Sequence, residues 1–176
     1  LFFLEKIVRS HPLLYFITRY FIRYTNIFEQ DGKGSGCALS IFANKLMKEK
    51  NCIITGGTSG LGLALVKKFI NNNFFIHIIA KDNNKIQKLV NYFHEKNIKS
   101  FKFYQADLAE KNELNKVILQ IKNLDRIDVL INNAGALFLK REVNSEEVEK
   151  TFAVNYLSHF YLTISLIDII KKTKNS

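Results

Sequence analysis

Gly56, Gly60 and Gly62 fall in the stretch TGGTSGLG (Thr55 to Gly62), between the apolar run CIIT and the segment LALVKKFI. Where a strand gives way to a helix, glycines at this spacing allow a tight turn, close backbone approach to a pyrophosphate, and free amides at a helix N-terminus. The chemistry this points to is the cradling of a dinucleotide, with Thr58, Ser59 and Leu61 in the same loop. A glycine-rich loop alone serves equally well as a plain turn and helix start, so its surroundings decide. Lys81, in IIAKD, ends the next apolar run. It stands where an acidic residue would bind a ribose 2′-hydroxyl, and a cation there favours a 2′-phosphate. A charge-assisted hydrogen bond of roughly 1.5–3 kcal/mol gives about a ten- to hundredfold preference for NADP(H) over NAD(H). The alternative is a solvated lysine beside Asp82.

The elements that must position these residues are written as alternating patterns. From Asn51 onward, CIIT leads to a helix reaching about Asn72. FFIHIIA is followed by a helix through NNKIQKLVNYFHEK, and FKFYQAD by one across ELNKVILQIKN. IDVLINN then precedes a long helical segment ending near Lys172. Short apolar runs alternating with 3.6-residue periodicity predict repeated βα winding around a parallel sheet. IDVLIN reads as a strand buried on both faces, and as a last strand it would leave an open edge that expects a neighbour. VNYLSHFYLTISLIDII is apolar around nearly its whole circumference, the mark of a helix covered on all sides by further structure or by a dimer partner.

A chain of 176 residues that is 47% hydrophobic carries one principal core. The net charge of +10 is spread over lysines on polar helix faces. It forms no basic stripe interleaved with aromatics, so nucleic-acid binding is not expected. Cys37 and Cys52 have no paired spacing, and His11, His77, His94 and His159 are dispersed, so neither a disulfide framework nor a metal site is implied. In residues 1–28, Leu13, Phe16, Ile17, Tyr20, Phe21 and Tyr24 recur at helical spacing with Thr18, Arg19 and Arg23 opposite. The two arginines exclude a membrane span. They leave an amphipathic helix that either lies in a membrane interface or packs on its own domain. Residues 29–50, beginning EQDGKGSG, read as a linker and lead-in, and 51–176 as the dinucleotide-binding domain. A start at Leu1 rather than at methionine leads to the expectation that residues precede it.

Three ordered motifs resemble one family, the short-chain dehydrogenase/reductases, and in particular their membrane-associated, retinol-dehydrogenase-like members. TGGTSGLG fits the family's Thr-Gly-x3-Gly-x-Gly loop, RIDVLINNAG holds its Asn-Asn-Ala-Gly signature, and FAVNYLSHF resembles the helix carrying its catalytic asparagine. The resemblance spans about residues 48–174 and implies a Rossmann-type α/β domain with strand order 3-2-1-4. It implies that Ser59 and the loop glycines face the cofactor phosphates and that Asp107 and Leu108 hold the adenine. Asn132, Asn133, Ala134 and Gly135 would pack behind the cofactor, and a basic residue at Lys81 is usual in these members. Asn155 becomes the asparagine that holds a water in a proton relay; read without the resemblance, it is a polar residue in an apolar helix whose amide needs partners. His159, one turn along, reads as structural.

Asn73 stands where many members have a glycine, a tolerable exchange because both accept the left-handed conformation of a helix C-terminus. The family's active-site serine and its Tyr-x3-Lys pair do not occur between Asn155 and Ser176, and Tyr92 to Lys96 in YFHEK precedes the asparagine and is a coincidence. A carbonyl receiving a hydride needs a proton donor, and a positioned phenol contributes about 10²–10⁴-fold. The expectation is therefore the cofactor-binding, N-terminal part of an NADP(H)-dependent oxidoreductase acting on a hydrophobic alcohol or carbonyl. It would be membrane-associated with a cytoplasm-facing domain, or cytoplasmic, and a homodimer is open to it. The 176 residues alone would be inactive. The rival is a non-catalytic dinucleotide-binding or regulatory module; the compact NNAG signature disfavours a nucleotide-sugar epimerase.

Overall fold

A computed structural model describes residues 49–173, so the amphipathic segment and most of the lead-in lie outside the described residues. Four parallel strands, β1 (Lys50–Thr55), β2 (Phe74–Ala80), β3 (Phe101–Gln105) and β4 (Val129–Ile131), form one sheet in the order β3-β2-β1-β4. Helices α1 (Gly60–Asn71), α2 (Asn83–Glu95) and α3 (Lys111–Ile121) link them. After β4 come an irregular stretch, α4 (Lys150–Phe152), a π-helical turn (Ala153–Leu157) and α5 (Ser158–Lys172). This is the Rossmann-like α/β fold expected.

Hydrophobic burial decides the layers. Ile53, Ile79 and Tyr104 face α3 and α5, where Leu114, Val117, Ile121, Leu162 and Leu166 complete the main core. On the opposite face Ile54, Ile78 and Val66 of α1 close around Gly57, and the Phe93 ring of α2 lies 4.7 Å from that of Phe101 of β3, tilted by 53°. Asn73 ends α1 with φ +60°, the left-handed conformation anticipated for a residue replacing glycine. β4 is shorter than IDVLINN implied. Asp128 and Asn51 hold the approach, with Asp128 N donating to Asn51 O (2.9 Å). At the other end Asn133 turns its amide away to Thr55.

Lys150–Lys172 is long and apolar enough to cross a membrane, with mean hydropathy 1.3. Leu162 and Leu166 are fully buried in the main core. Its outer face leaves Phe152, Tyr156, Phe160 and Ile164 exposed, with the first three rings stacked in succession at 5.2 and 6.5 Å. Of the helix expected to be buried all round, only the inner face is covered.

At the end of the sheet away from the glycine loop, a buried polar cluster ties β1, β2 and β3 together. Asn51 Nδ2 donates to the Arg126 carbonyl (3.2 Å), which turns Asn51 Oδ1 toward His77 Nε2 (3.0 Å). That assigns the hydrogen to Nε2 and leaves Nδ1 to accept from the Tyr104 hydroxyl (3.0 Å). Burial first, and the nearby Lys102 charge second, push His77 down to about 4. Its folded pKa thus lies below the unfolded value of about 6.5, so between those limits the unfolded chain binds the extra proton and stability falls with pH. This group is expected to cost on the order of 2 kcal/mol between about pH 7 and pH 5. Denaturant titrations of wild type and His77→Gln across that range check it. The glutamine protein should be the less pH-dependent of the two, and parallel profiles would rule the effect out.

Candidate functional site

The C-terminal ends of β1, β2 and β3 and the chain leaving β4 open on a cleft of about 470 Å3. Gly56, Thr58, Ser59, Leu61, Gly62, Lys81, Asp107, Leu108, Asn133, Ala134 and Gly135 all line it. Sequence separations of up to about 80 residues are therefore closed by the fold into one site. Gly60 does not line the cleft. A Cβ there would meet nothing within 4 Å, and its φ of +53° is the left-handed conformation that the turn requires. A second hollow of about 390 Å3 runs along Phe103, Gln105, Glu113 and Lys116 at the sheet edge and shares none of these residues.

The loop between β1 and α1 is shaped for close approach. Gly56 has φ +69°, and a Cβ on it would lie 2.9 Å from Ala134 Cα. A Cβ on Gly62 would run into the Gly56 carbonyl and stand 2.5 Å from Asn133 Nδ2. Ser59 occupies the N-cap of α1 but makes no side-chain hydrogen bond to it, and the first turn holds no acidic residue. Asp82 caps α2 through Lys85 N (3.1 Å) and Glu149 caps α4 through Thr151 N (2.8 Å) and Phe152 N (2.7 Å), while α3, whose Glu110 N-cap also makes no side-chain bond, has Glu113 in its first turn. The start of α1 thus keeps its amides and its partial positive charge for a ligand, which fits a phosphate group.

Thr55 locks the loop to the opposite wall. Its buried Oγ1 accepts from Asn133 N and Ala134 N, each at 3.0 Å, while Asn133 Nδ2 donates to the carbonyls of Thr55 (3.0 Å) and Gly56 (3.2 Å). Asn155 sits in the π-helical turn and meets Ala136 twice, accepting from its N–H and donating to its C=O, both at 2.8 Å. The extra residue in a π turn re-aims a side chain, and such turns recur at functional sites. The partners that the asparagine's amide needed are therefore backbone groups of the cleft wall. Asn132 Nδ2 donates to Thr163 Oγ1 (2.9 Å) while its Oδ1 is buried without a partner, as is His159 Nε2. Burial lowers the pKa of His159, against an opposing pull from the Ala134 backbone.

Sequence inspection missed Thr55 as the latch, and Ala136 and Phe138 as wall residues. A threonine directly after the buried run Cys52 to Ile54 was the available signal for the first; nothing in the sequence marked the other two. Among the described residues no group of three or more His, Cys, Asp or Glu side chains is placed to hold a metal ion.

The described fold and cleft lie within a match of residues 50–176 to the short chain dehydrogenase family model, and the chain belongs to that family. It is 28% identical over 127 residues to polyprenol dehydrogenase of Homo sapiens, covering 71% of this chain and 38% of that protein. It spans about two fifths of the length of this and other curated relatives. Among solved structures it resembles the bulky-bulky ketone specific alcohol dehydrogenase of Comamonas testosteroni in fold, with TM-score 0.60 at 22% identity over 69% of this chain and 50% of that one. It also resembles a blue fluorescent protein from a metagenomic library in complex with NADPH, with TM-score 0.57 at 26% identity over 69% of this chain and 51% of that one.

Proposed function

We propose that the cleft holds NADP(H) and that the chain supplies the cofactor-binding part of an oxidoreductase acting on a hydrophobic alcohol or carbonyl compound. The observation that carries this is the uncapped start of α1 at the cleft, in a loop whose Gly56 and Gly62 pack too closely on neighbouring backbone and Asn133 to admit a Cβ. The loop amides from Thr58 to Gly62 take the pyrophosphate, and Lys81 takes the 2′-phosphate. Asp107 and Leu108 flank the adenine, and Asn133 to Gly135 form the wall behind the nicotinamide half. When bound, the cofactor supplies or accepts the hydride. Asn155 keeps one amide hydrogen and one lone pair beyond its two bonds to Ala136, enough to hold a water beside the reacting end. Polyprenol dehydrogenase, by its name, acts on a long apolar alcohol, which agrees with a hydrophobic substrate.

The experiment is competitive binding of NADPH and NADH to wild type and Lys81→Ala. Wild type is expected to favour NADPH by about ten- to hundredfold, and the variant to lose most of that preference while binding NADH as before. Equal preferences in the two proteins would remove Lys81 from the site.

A further inference from the structure

Lys81 does not stand free above the cleft. Its Nζ lies 2.6 Å from Asp107 Oδ2, across from the end of β2 to the end of β3. Asp82, the nearer carboxylate in sequence, is engaged with α2, capping it through Lys85 N and facing Lys85 Nζ at 3.8 Å. Asp107 is held by its own loop: its Oδ1 accepts from Ala109 N (3.0 Å), and its backbone N–H donates to Glu113 Oε2 (2.7 Å). The side chain of Lys81 is 67% exposed and that of Asp107 only 20%, so the carboxylate is the fixed partner and the ammonium the movable one.

We infer that Asp107 is a specificity-determining residue that competes with the ligand's 2′-phosphate for Lys81, so the cleft discriminates for that phosphate less strongly than an unpaired lysine would. This rests on the reading of the cleft as an NADP(H) site. A phosphate dianion reaching Lys81 must displace or share a carboxylate about one hydrogen bond away. Asp107 foremost, with Glu113 and Glu110 adding to the negative field, favours the charged form of Lys81, so the lysine is a cation in both states. Because the pair is exposed and solvent-screened, the competition is modest, and its removal should raise discrimination about three- to tenfold.

The test measures calorimetric affinities for 2′,5′-ADP and 5′-AMP, which differ only in the 2′-phosphate. Any contact of Asp107 with adenine then cancels in the ratio of the two. The proteins are wild type, Asp107→Asn, Asp107→Ser, Lys81→Met and the Lys81→Met/Asp107→Asn double variant. Asparagine and serine both still accept from Ala109 N, which preserves the loop turn. The expected result is a three- to tenfold higher ratio in both single Asp107 variants and no such rise on the Lys81→Met background. A ratio that stays level or falls in Asp107→Asn and Asp107→Ser, with both ligands still bound, overturns the competition and leaves the NADP(H) reading standing. A 2′-phosphate preference that survives Lys81→Met removes Lys81 from the site and overturns the competition alone, whereas a wild type that binds neither ligand overturns the site reading itself and the competition with it.

Discussion

Gly62→Ala is expected to abolish dinucleotide binding and to destabilise the domain by about 2 kcal/mol or more. The sign is informative, because glycine to alanine inside a helix ordinarily stabilises by about 1 kcal/mol. Here the new Cβ would collide with the Gly56 carbonyl and crowd Asn133 Nδ2, which bonds the carbonyls of Thr55 and Gly56. Relief requires moving backbone on both sides of the cleft, and the movement closes the space a pyrophosphate would occupy. Chemical denaturation with a parallel NADPH titration measures both effects. A variant that is more stable than wild type and binds equally well would show that helix propensity outweighs the collision.

Thr55→Val should cost about 3 kcal/mol although it nearly conserves volume. The hydroxyl lost is the acceptor for two amides, Asn133 N and Ala134 N, and Thr55 itself is fully buried. Unmet buried amides cost roughly 1–3 kcal/mol each. Thr55→Ser keeps the hydroxyl and gives up one methyl, for about 1 kcal/mol or less. Denaturant unfolding of the two variants therefore separates hydrogen bonding from packing: the valine protein should be the weaker. If serine proved the more damaging, the latch would be the methyl's packing and not the oxygen.

The fold was legible because each strand is a short apolar run and each helix keeps a 3.6-residue stripe. Ile76, Ile78 and Ile79 of β2, and Ile86, Leu89 and Phe93 of α2, are buried as the patterns require. The cleft was legible through its glycines, since their spacing between a strand and a helix is written in one short stretch, although the segment that Gly56 and Gly62 pack against, Asn133 and Ala134, is distant in sequence. Contacts between distant segments were not. That Lys81 would pair with Asp107 and not with the adjacent Asp82 depends on β2 lying beside β3 and on Asp82 being engaged as a helix cap. The two hydrogen bonds between Asn155 and Ala136 depend on a π turn that no periodicity announces. β4 came out shorter than its apolar run, and just past its end the Asn133 N–H bonds to the Thr55 hydroxyl, a partner 78 residues away that the run does not announce.

The central claim is that the cleft between Gly56 and Gly135 is an NADP(H) site, and the most direct measurement is a titration of the 176-residue chain with NADPH, followed by the fluorescence of its reduced nicotinamide ring. Saturable binding that 2′,5′-ADP displaces and that Gly62→Ala removes is the expected result. No saturable binding by the folded chain, or binding that persists unchanged in Gly62→Ala, would contradict it.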